Sequence, residues 1–207
     1  MSYLIDQWPT VAARLGEHIV LTVVSLAIAF AIALPLGVVV ARRPRWGSIT
    51  LGILSVIYTI PSLALLAVLV AVFGLGTPTA IVALVAYAQM ILVRNIAAGL
   101  RGVSPTALDA ATGLGLTARQ RLFRVELPLA LPAIMGGVRI ATVALIGIAT
   151  LAAWIDAGGL GAIIFEGLRV NDPQRIIAGS VAAIALALVA DVLLRLVERA
   201  ARARTAA

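Results

Sequence analysis

The chain has 207 residues, 62% of them hydrophobic and only 12% charged, with a mean hydropathy of +1.12; it has no Cys, one His (His18) and 16 basic residues, all Arg, for a formal net charge of +7. This is the composition of a membrane protein. It excludes disulfides, iron–sulfur clusters, thiolate zinc sites, cysteine nucleophiles and multi-histidine metal centres, and it lacks the lysine that a P-loop or a Schiff base needs, so no catalytic residue, metal or cofactor is expected and any ATP site must lie on another chain.

Residues 1–18 carry Asp6 and Glu17 and have neither a positive start nor a small-residue cleavage site, so they read as an extracytoplasmic N-terminal segment rather than a removable signal. Residues 19–200 form the transmembrane domain. A hydrocarbon core about 30 Å thick takes about 20 apolar residues per helix, and five stretches qualify: about Ile19–Ala41, Ile49–Phe73, Thr79–Ala98, Leu129–Ile155 and Ile176–Val197. The fold class is thus an all-α polytopic bundle of about five transmembrane helices, with residues 201–207 as a tail.

Arginines set the expected orientation. Arg42, Arg43 and Arg45 follow the first stretch, five more fall from Arg94 to Arg124, and Arg195, Arg199, Arg202 and Arg204 end the chain. With five spans these segments share one side, the cytoplasm, and the N-terminus lies outside. Arg clustered on a soluble face would suggest nucleic acid; Arg distributed between apolar stretches does not.

Two prolines fall inside spans. Pro35 and Pro61 each remove a helix hydrogen bond, and either kink the helix or are simply tolerated as membrane helices allow. Ser55, Thr59 and Ser62 near Pro61 either satisfy freed backbone groups or line a path. Trp8, Trp46 and Trp154 fall near expected interfaces, as belt anchors do. Arg94 and Arg139 lie near membrane depth, where a charge must snorkel or bond within the bundle. Asp191 and Arg195, four apart, suit an intrahelical pair.

Between the third and fourth stretches, residues 101–128 are neither apolar enough to insert nor polar enough to be disordered. Ser104 followed by Pro105 reads as an N-cap with proline at the first helical position, and Asp109 lies near that positive end. This helix should stop near Gly113 or Gly115, and Thr117 should cap a second one over Ala118–Phe123 before Pro128 opens the fourth span. Periodicity alone allows either a docking knob for a soluble partner or an ordinary amphipathic surface loop.

The spacing of Asp109-Ala110-Ala111, Gly115, Val125 and Leu127-Pro128 resembles the coupling motif of ABC importer permeases: Glu-Ala-Ala, three residues, Gly, nine residues, Ile, one residue, Leu-Pro. It departs by Asp for Glu and Val for Ile. Thr59 to Leu66, Arg94-Asn95, Glu126 to Pro132 and Ala157-Gly158-Gly159-Leu160-Gly161 are similar to the osmoprotectant branch, whose permeases carry glycine betaine, carnitine or choline. Where those commonly have Gly before the Ala-Gly-Gly run, this chain has Asp156.

The resemblance implies a non-enzymatic type I importer subunit in a bacterial inner membrane. Its partners would be cytoplasmic ATPase subunits, an extracytoplasmic substrate-binding protein and a second permease, identical or not. It implies that Asp109, Ala110, Ala111, Gly115, Val125, Leu127 and Pro128 couple to the ATPase, with Asp109 capping a helix or pairing with a partner Arg and the alanines letting the helix sit close. Residues 156–167, apolar but too short to span, would form an outer gate built on Gly158, Gly159 and Gly161, or else a surface turn. Tyr58, Thr59, Pro61, Ser62 and Tyr87 are candidates for the translocation path. An amino-acid or other small-solute permease is the alternative within the superfamily. An ion-coupled carrier would need buried acids, and an assembly protein would leave the loop spacing without a purpose.

Overall fold

The computed structural model describes residues 2–206, all in helices and short connections. The helices are α1 (Ser2–Asp6), α2 (Trp8–Arg42), α3 (Pro44–Thr59), α4 (Ser62–Phe73), α5 (Thr77–Arg101), α6 (Pro105–Gly113), α7 (Ala118–Arg121), α8 (Leu127–Ala152), α9 (Leu160–Arg169) and α10 (Pro173–Ala206). A π-helical turn, Leu122–Glu126, joins α7 to α8, and a 3-10 turn, Ala153–Ile155, comes after α8. Four helical runs are long and apolar enough to cross a membrane: α2, α5, the continuous stretch Ala118–Ile155 and α10.

The expected second span is present in length but broken in the middle. Helices α3 and α4 have 16 and 12 residues, about 24 and 18 Å at 1.5 Å per residue, so neither crosses a 30 Å core alone. Together they are long and apolar enough for a fifth span, bent by 96° at the break. Pro61 causes the break: the residue before a proline is pushed out of the helical region, and Ile60 sits at φ −64°, ψ 129°. Pro35, by contrast, lies inside an unbroken α2, which runs through residues 18 and 19 without interruption. The same residue type thus breaks one span and is tolerated in another.

Helix α5 is the centre of the bundle, packed between α2 and α8 with α3 and α4 alongside. Small residues allow the approach, as expected where no hydrophobic gain separates protein from lipid. On α2 the buried stripe is Ser25, Ala29, Ala33, Gly37 and Val40, one face at helical spacing. A Cβ on Gly37 would stand 2.4 Å from Ile96 Cγ2, and one on Gly137 of α8 would stand 2.4 Å from Asn95 Cβ. Gln89 adds a polar tie from α5, donating to the Ala29 carbonyl at 3.1 Å.

Helix α10 packs on α8 and α9, and charge joins it to α8. Arg139 donates to Asp191 (2.7 Å) and to Glu198 (3.0 Å), while Arg195 pairs with Asp191 at four-residue spacing. Arg139 is therefore bonded within the bundle. Arg94 is exposed and has no hydrogen bond or ion pair among the described residues. The two arginines resolve differently because Arg139 faces a neighbouring helix that carries carboxylates.

Candidate functional site

The loop between α5 and α8 is built from local capping. Ser104, extended at φ −62° and ψ 138°, accepts from the Ala107 N–H, and Pro105 opens α6. At the other end the N–H of Leu116 donates to the Ala111 carbonyl and that of Gly115 to the Thr112 carbonyl, 3.2 and 2.9 Å. This paired closure is a Schellman motif, whose residue after the cap must be left-handed. Gly115 has φ +75°. A Cβ there meets nothing within 4 Å, so this position requires glycine for its backbone rather than for space inside the chain.

Thr117 and Gln120 then make a reciprocal capping box that starts α7. The expected separate second helix is not separate: α7 runs through the π turn into α8 as one continuous rod, with Pro128 placed directly after the π turn. Val125 and Leu127 are half-buried on this rod and Pro128 is exposed.

Two expectations for α6 need correction. Asp109 is its fifth residue and lies outside the first turn, which holds no acid, so it does not cap the helix. It is exposed, with no hydrogen bond or ion pair among the described residues. Ala111 is buried against the protein's own π turn while Ala110 is exposed, so only one of the two alanines faces outward. The outward face also carries Leu114, 81% exposed at the tip of the turn. This leucine belongs to no motif in the sequence; its signal is a large apolar residue isolated between Gly113 and Gly115.

At the bend of the second span, Tyr87 and Tyr58 meet edge to face, ring centroids 6.1 Å apart. Tyr87 is buried and its hydroxyl donates to the Ile60 carbonyl, one of the backbone groups freed by the break. Thr59 instead donates to its own helix at Val56 (2.8 Å). Tyr58, Thr59 and Pro61 are exposed on the isolated chain and Ser62 is half-buried.

On the opposite side, α9 is the short helix of the expected gate segment. Gly158 and Gly159 both have φ +75°, and a Cβ on Gly161 would collide with the Thr150 carbonyl. Asp156, at φ +64°, is left-handed too, a region that Asp tolerates better than most residues. Glu17 accepts from the Gly159 N–H at 2.9 Å and pairs with Arg14 at 2.8 Å. His18 is fully buried: its Nδ1 accepts from the Leu160 N–H, so the proton is on Nε2, which donates to the Ile146 carbonyl at 3.1 Å. Neither residue stands out as a site residue in the sequence, although His18 is the chain's one histidine. Beside them, Arg14, Glu17, Thr77, Asp156 and Gly158 line an open cleft of about 510 Å³.

Residues 33–203 match the family described as binding-protein-dependent transport system inner membrane component. The choline transport system permease protein OpuBB of Bacillus subtilis (strain 168) is 43% identical over 183 residues, 88% of this chain and 84% of that one. The glycine betaine/carnitine/choline transport system permease protein OpuCB of the same strain is 37% identical over 199 residues, covering 96% and 92%. The osmoprotectant import permease protein OsmW of Salmonella typhimurium (strain LT2) is 36% identical over 197 residues, covering 93% and 92%. Among solved structures, an inward-facing form of the MetNI methionine ABC transporter superposes with a TM-score of 0.86 over 95% of this chain and 98% of that one, at 23% identity, a likeness of fold. The chain therefore belongs to the binding-protein-dependent transport system inner membrane components, the permease subunits of ABC importers.

Proposed function

We propose that this permease carries a quaternary-amine osmoprotectant, glycine betaine, choline or carnitine, across the inner membrane. The observation that carries the reading is the identity, 36 to 43% over most of the chain, with two permeases named for those solutes and one named for osmoprotectant import. It works with a second permease subunit, two cytoplasmic ATPase subunits and an extracytoplasmic binding protein. The ATP site belongs to the ATPase, in keeping with a chain that has no lysine. The N-terminus is outside and the α5–α8 loop is cytoplasmic.

In this reading α6 is the coupling helix. Asp109, Ala110 and Leu114 face the ATPase, Ala111 seats the helix on its own bundle, and Gly115 closes the turn that holds Leu114 out. Val125, Leu127 and Pro128 continue the loop into α8, so that ATPase closure moves the spans as bodies. Tyr58 and Ser62 face the path at the bend, and Tyr87 supports the bend from behind. A quaternary ammonium has no proton to donate and is held by aromatic faces; with so few aromatics, selectivity rests largely with the binding protein. Gly158, Gly159 and Gly161 shape the outer gate.

Radiolabelled uptake by the reconstituted complex, with betaine, choline, carnitine and amino acids in one panel, tests the reading. Competition confined to quaternary amines supports it; uptake of amino acids alone overturns it.

A further inference from the structure

Both ends of the coupling loop grip the same turn of the first span. Arg101, the last residue of α5 before the loop, donates from Nη2 to the Val40 carbonyl at 2.6 Å and from Nε to the Ala41 carbonyl at 3.5 Å. The final carbonyls of a helix have no partners within it, and Arg101 supplies them for α2. Glu126, the last residue of the π turn that ends the loop, accepts from the next residue of that same turn: Arg42 Nη2 lies 3.2 and 3.1 Å from its two oxygens.

Glu126 also ties back to α6. It accepts from Arg121 Nε at 2.9 Å, and Arg121 Nη1 reaches Thr112 Oγ1, in the last turn of α6, at 3.3 Å. A charge-linked path therefore runs from Thr112 through Arg121 and Glu126 to Arg42. The Glu126 side chain is only 9% exposed, so leaving its carboxylate without either arginine would strand a nearly buried charge. The π turn sets its direction. The Leu127 N–H bonds five residues back to the Leu122 carbonyl, and the extra residue rotates the remainder of the rod by about 100° relative to a regular helix.

The grip extends to the bent span. A Cβ on Gly47 of α3 would stand 2.7 Å from the Val40 carbonyl oxygen, so α3 begins in contact with the turn held by Arg101. A displacement of the loop thus reaches α2 and the start of α3 together.

We infer that Arg101 and Glu126 are positioning residues for coupling, a two-point linkage through which displacement of the loop by the ATPase moves the inner end of the first span. This rests on the proposed docking of α6. A purely structural role for the Arg101 and Glu126 contacts would hold the bundle together and transmit nothing, so the test must separate transmission from folding.

The chain contains no cysteine, so single cysteines carrying an environment-sensitive fluorophore can report on two places: one at Arg119 on the loop and one at Val39 near the inner end of α2. In the complete complex in proteoliposomes, both reporters should respond to ATP. In Arg101→Gln/Glu126→Gln the loop reporter should still respond and the span reporter should not. ATPase copurification and basal hydrolysis should stay within about twofold, while solute-stimulated hydrolysis and uptake fall about fivefold in each single variant and about twentyfold in the pair, within the usual range of coupling between sites. Arg101→Lys with Glu126→Asp should restore most of the response, and this pair carries the comparison if the glutamine pair does not assemble.

An unchanged span reporter, or loss of ATPase binding in step with uptake in both pairs, overturns the linkage. Gly115→Leu is run beside them: if it transports normally, the docking reading itself is wrong, an outcome distinct from failure of the linkage alone.

Discussion

Tyr87 donates its hydroxyl proton to the carbonyl of Ile60, 27 residues away, and so closes the backbone gap that Pro61 opens in the second span. A carbonyl left without a donor in an apolar surrounding costs about 1–3 kcal/mol. Tyr87→Phe keeps the ring against Tyr58 and removes only that bond. It should lower the melting temperature of the purified complex and reduce uptake, whereas Tyr58→Phe should leave the melting temperature unchanged.

Tyr58→Ala separates path from scaffold. Tyr58 is exposed on the isolated chain and its ring meets Tyr87 edge to face, a contact worth about 0.5–1.5 kcal/mol, so its loss should lower stability only slightly. If its ring meets the passing cation, uptake should fall by about fivefold, since a cation–π contact is worth about 0.5–2 kcal/mol. Normal uptake kinetics in this variant would remove Tyr58 from the path.

At the start of α9, His18→Ala removes an acceptor for the Leu160 N–H and a donor to the Ile146 carbonyl in one step, and leaves a cavity. Two lost buried hydrogen bonds cost about 2 kcal/mol or more. The expected outcome is earlier thermal unfolding and faster protease cleavage near α9. Gly158→Ala should act at the same place by a different route, because its φ is +75° and its new Cβ would stand 2.6 Å from Glu17 Oε2.

Gly115→Ala and Gly115→Leu should diverge in size of effect, not in direction. Both suffer the positive φ, which costs about 1 kcal/mol or more for a residue with a Cβ, but only leucine adds bulk on the outward face. Membrane insertion should be unaffected in both, and uptake with stimulated ATP hydrolysis should fall modestly for alanine and disappear for leucine. Equal activity of the two would place the role of Gly115 wholly in its backbone.

Arg139 holds Asp191 and Glu198 from one side chain, and the two carboxylates retain Arg195 and Arg202 when it is lost. Arg139→Gln should therefore destabilise the contact of α8 with α10 without unfolding the bundle, by about 1–3 kcal/mol for the charged hydrogen bonds removed. Asp191→Asn should cost less, because Arg139 keeps Glu198. A larger effect for Asp191→Asn in thermal unfolding would contradict this ordering.

Most of the loop between α5 and α8 is legible in the sequence because its structure is local. Ser104 with Pro105, Thr117 with Gln120, and Gly115 after a short helix each act on atoms within a few residues, so caps and the closing turn follow from residue type and spacing. Asp109 is near the cap in sequence, but counted in turns it lies beyond the first. The continuity of α7 with α8 is hidden in the sequence because Pro128 looks like a break, whereas the π turn just before it carries the helix through.

By itself the sequence determined that this is a membrane bundle, where its spans lie and which segment projects as a capped loop. Those come from hydropathy summed over about 20 residues and from short-range backbone chemistry. Only the tertiary structure decided which atoms close the gaps: Tyr87 on Ile60, Glu17 and His18 on the start of α9, Arg101 and Glu126 on the last turn of α2. Each pairing joins residues distant in the chain, and in spans that are apolar on nearly every side the pattern of residues does not say which face of one helix meets which face of another. That choice is made by close packing at positions such as Gly37 and Gly137, and the polar partners are brought together as its consequence.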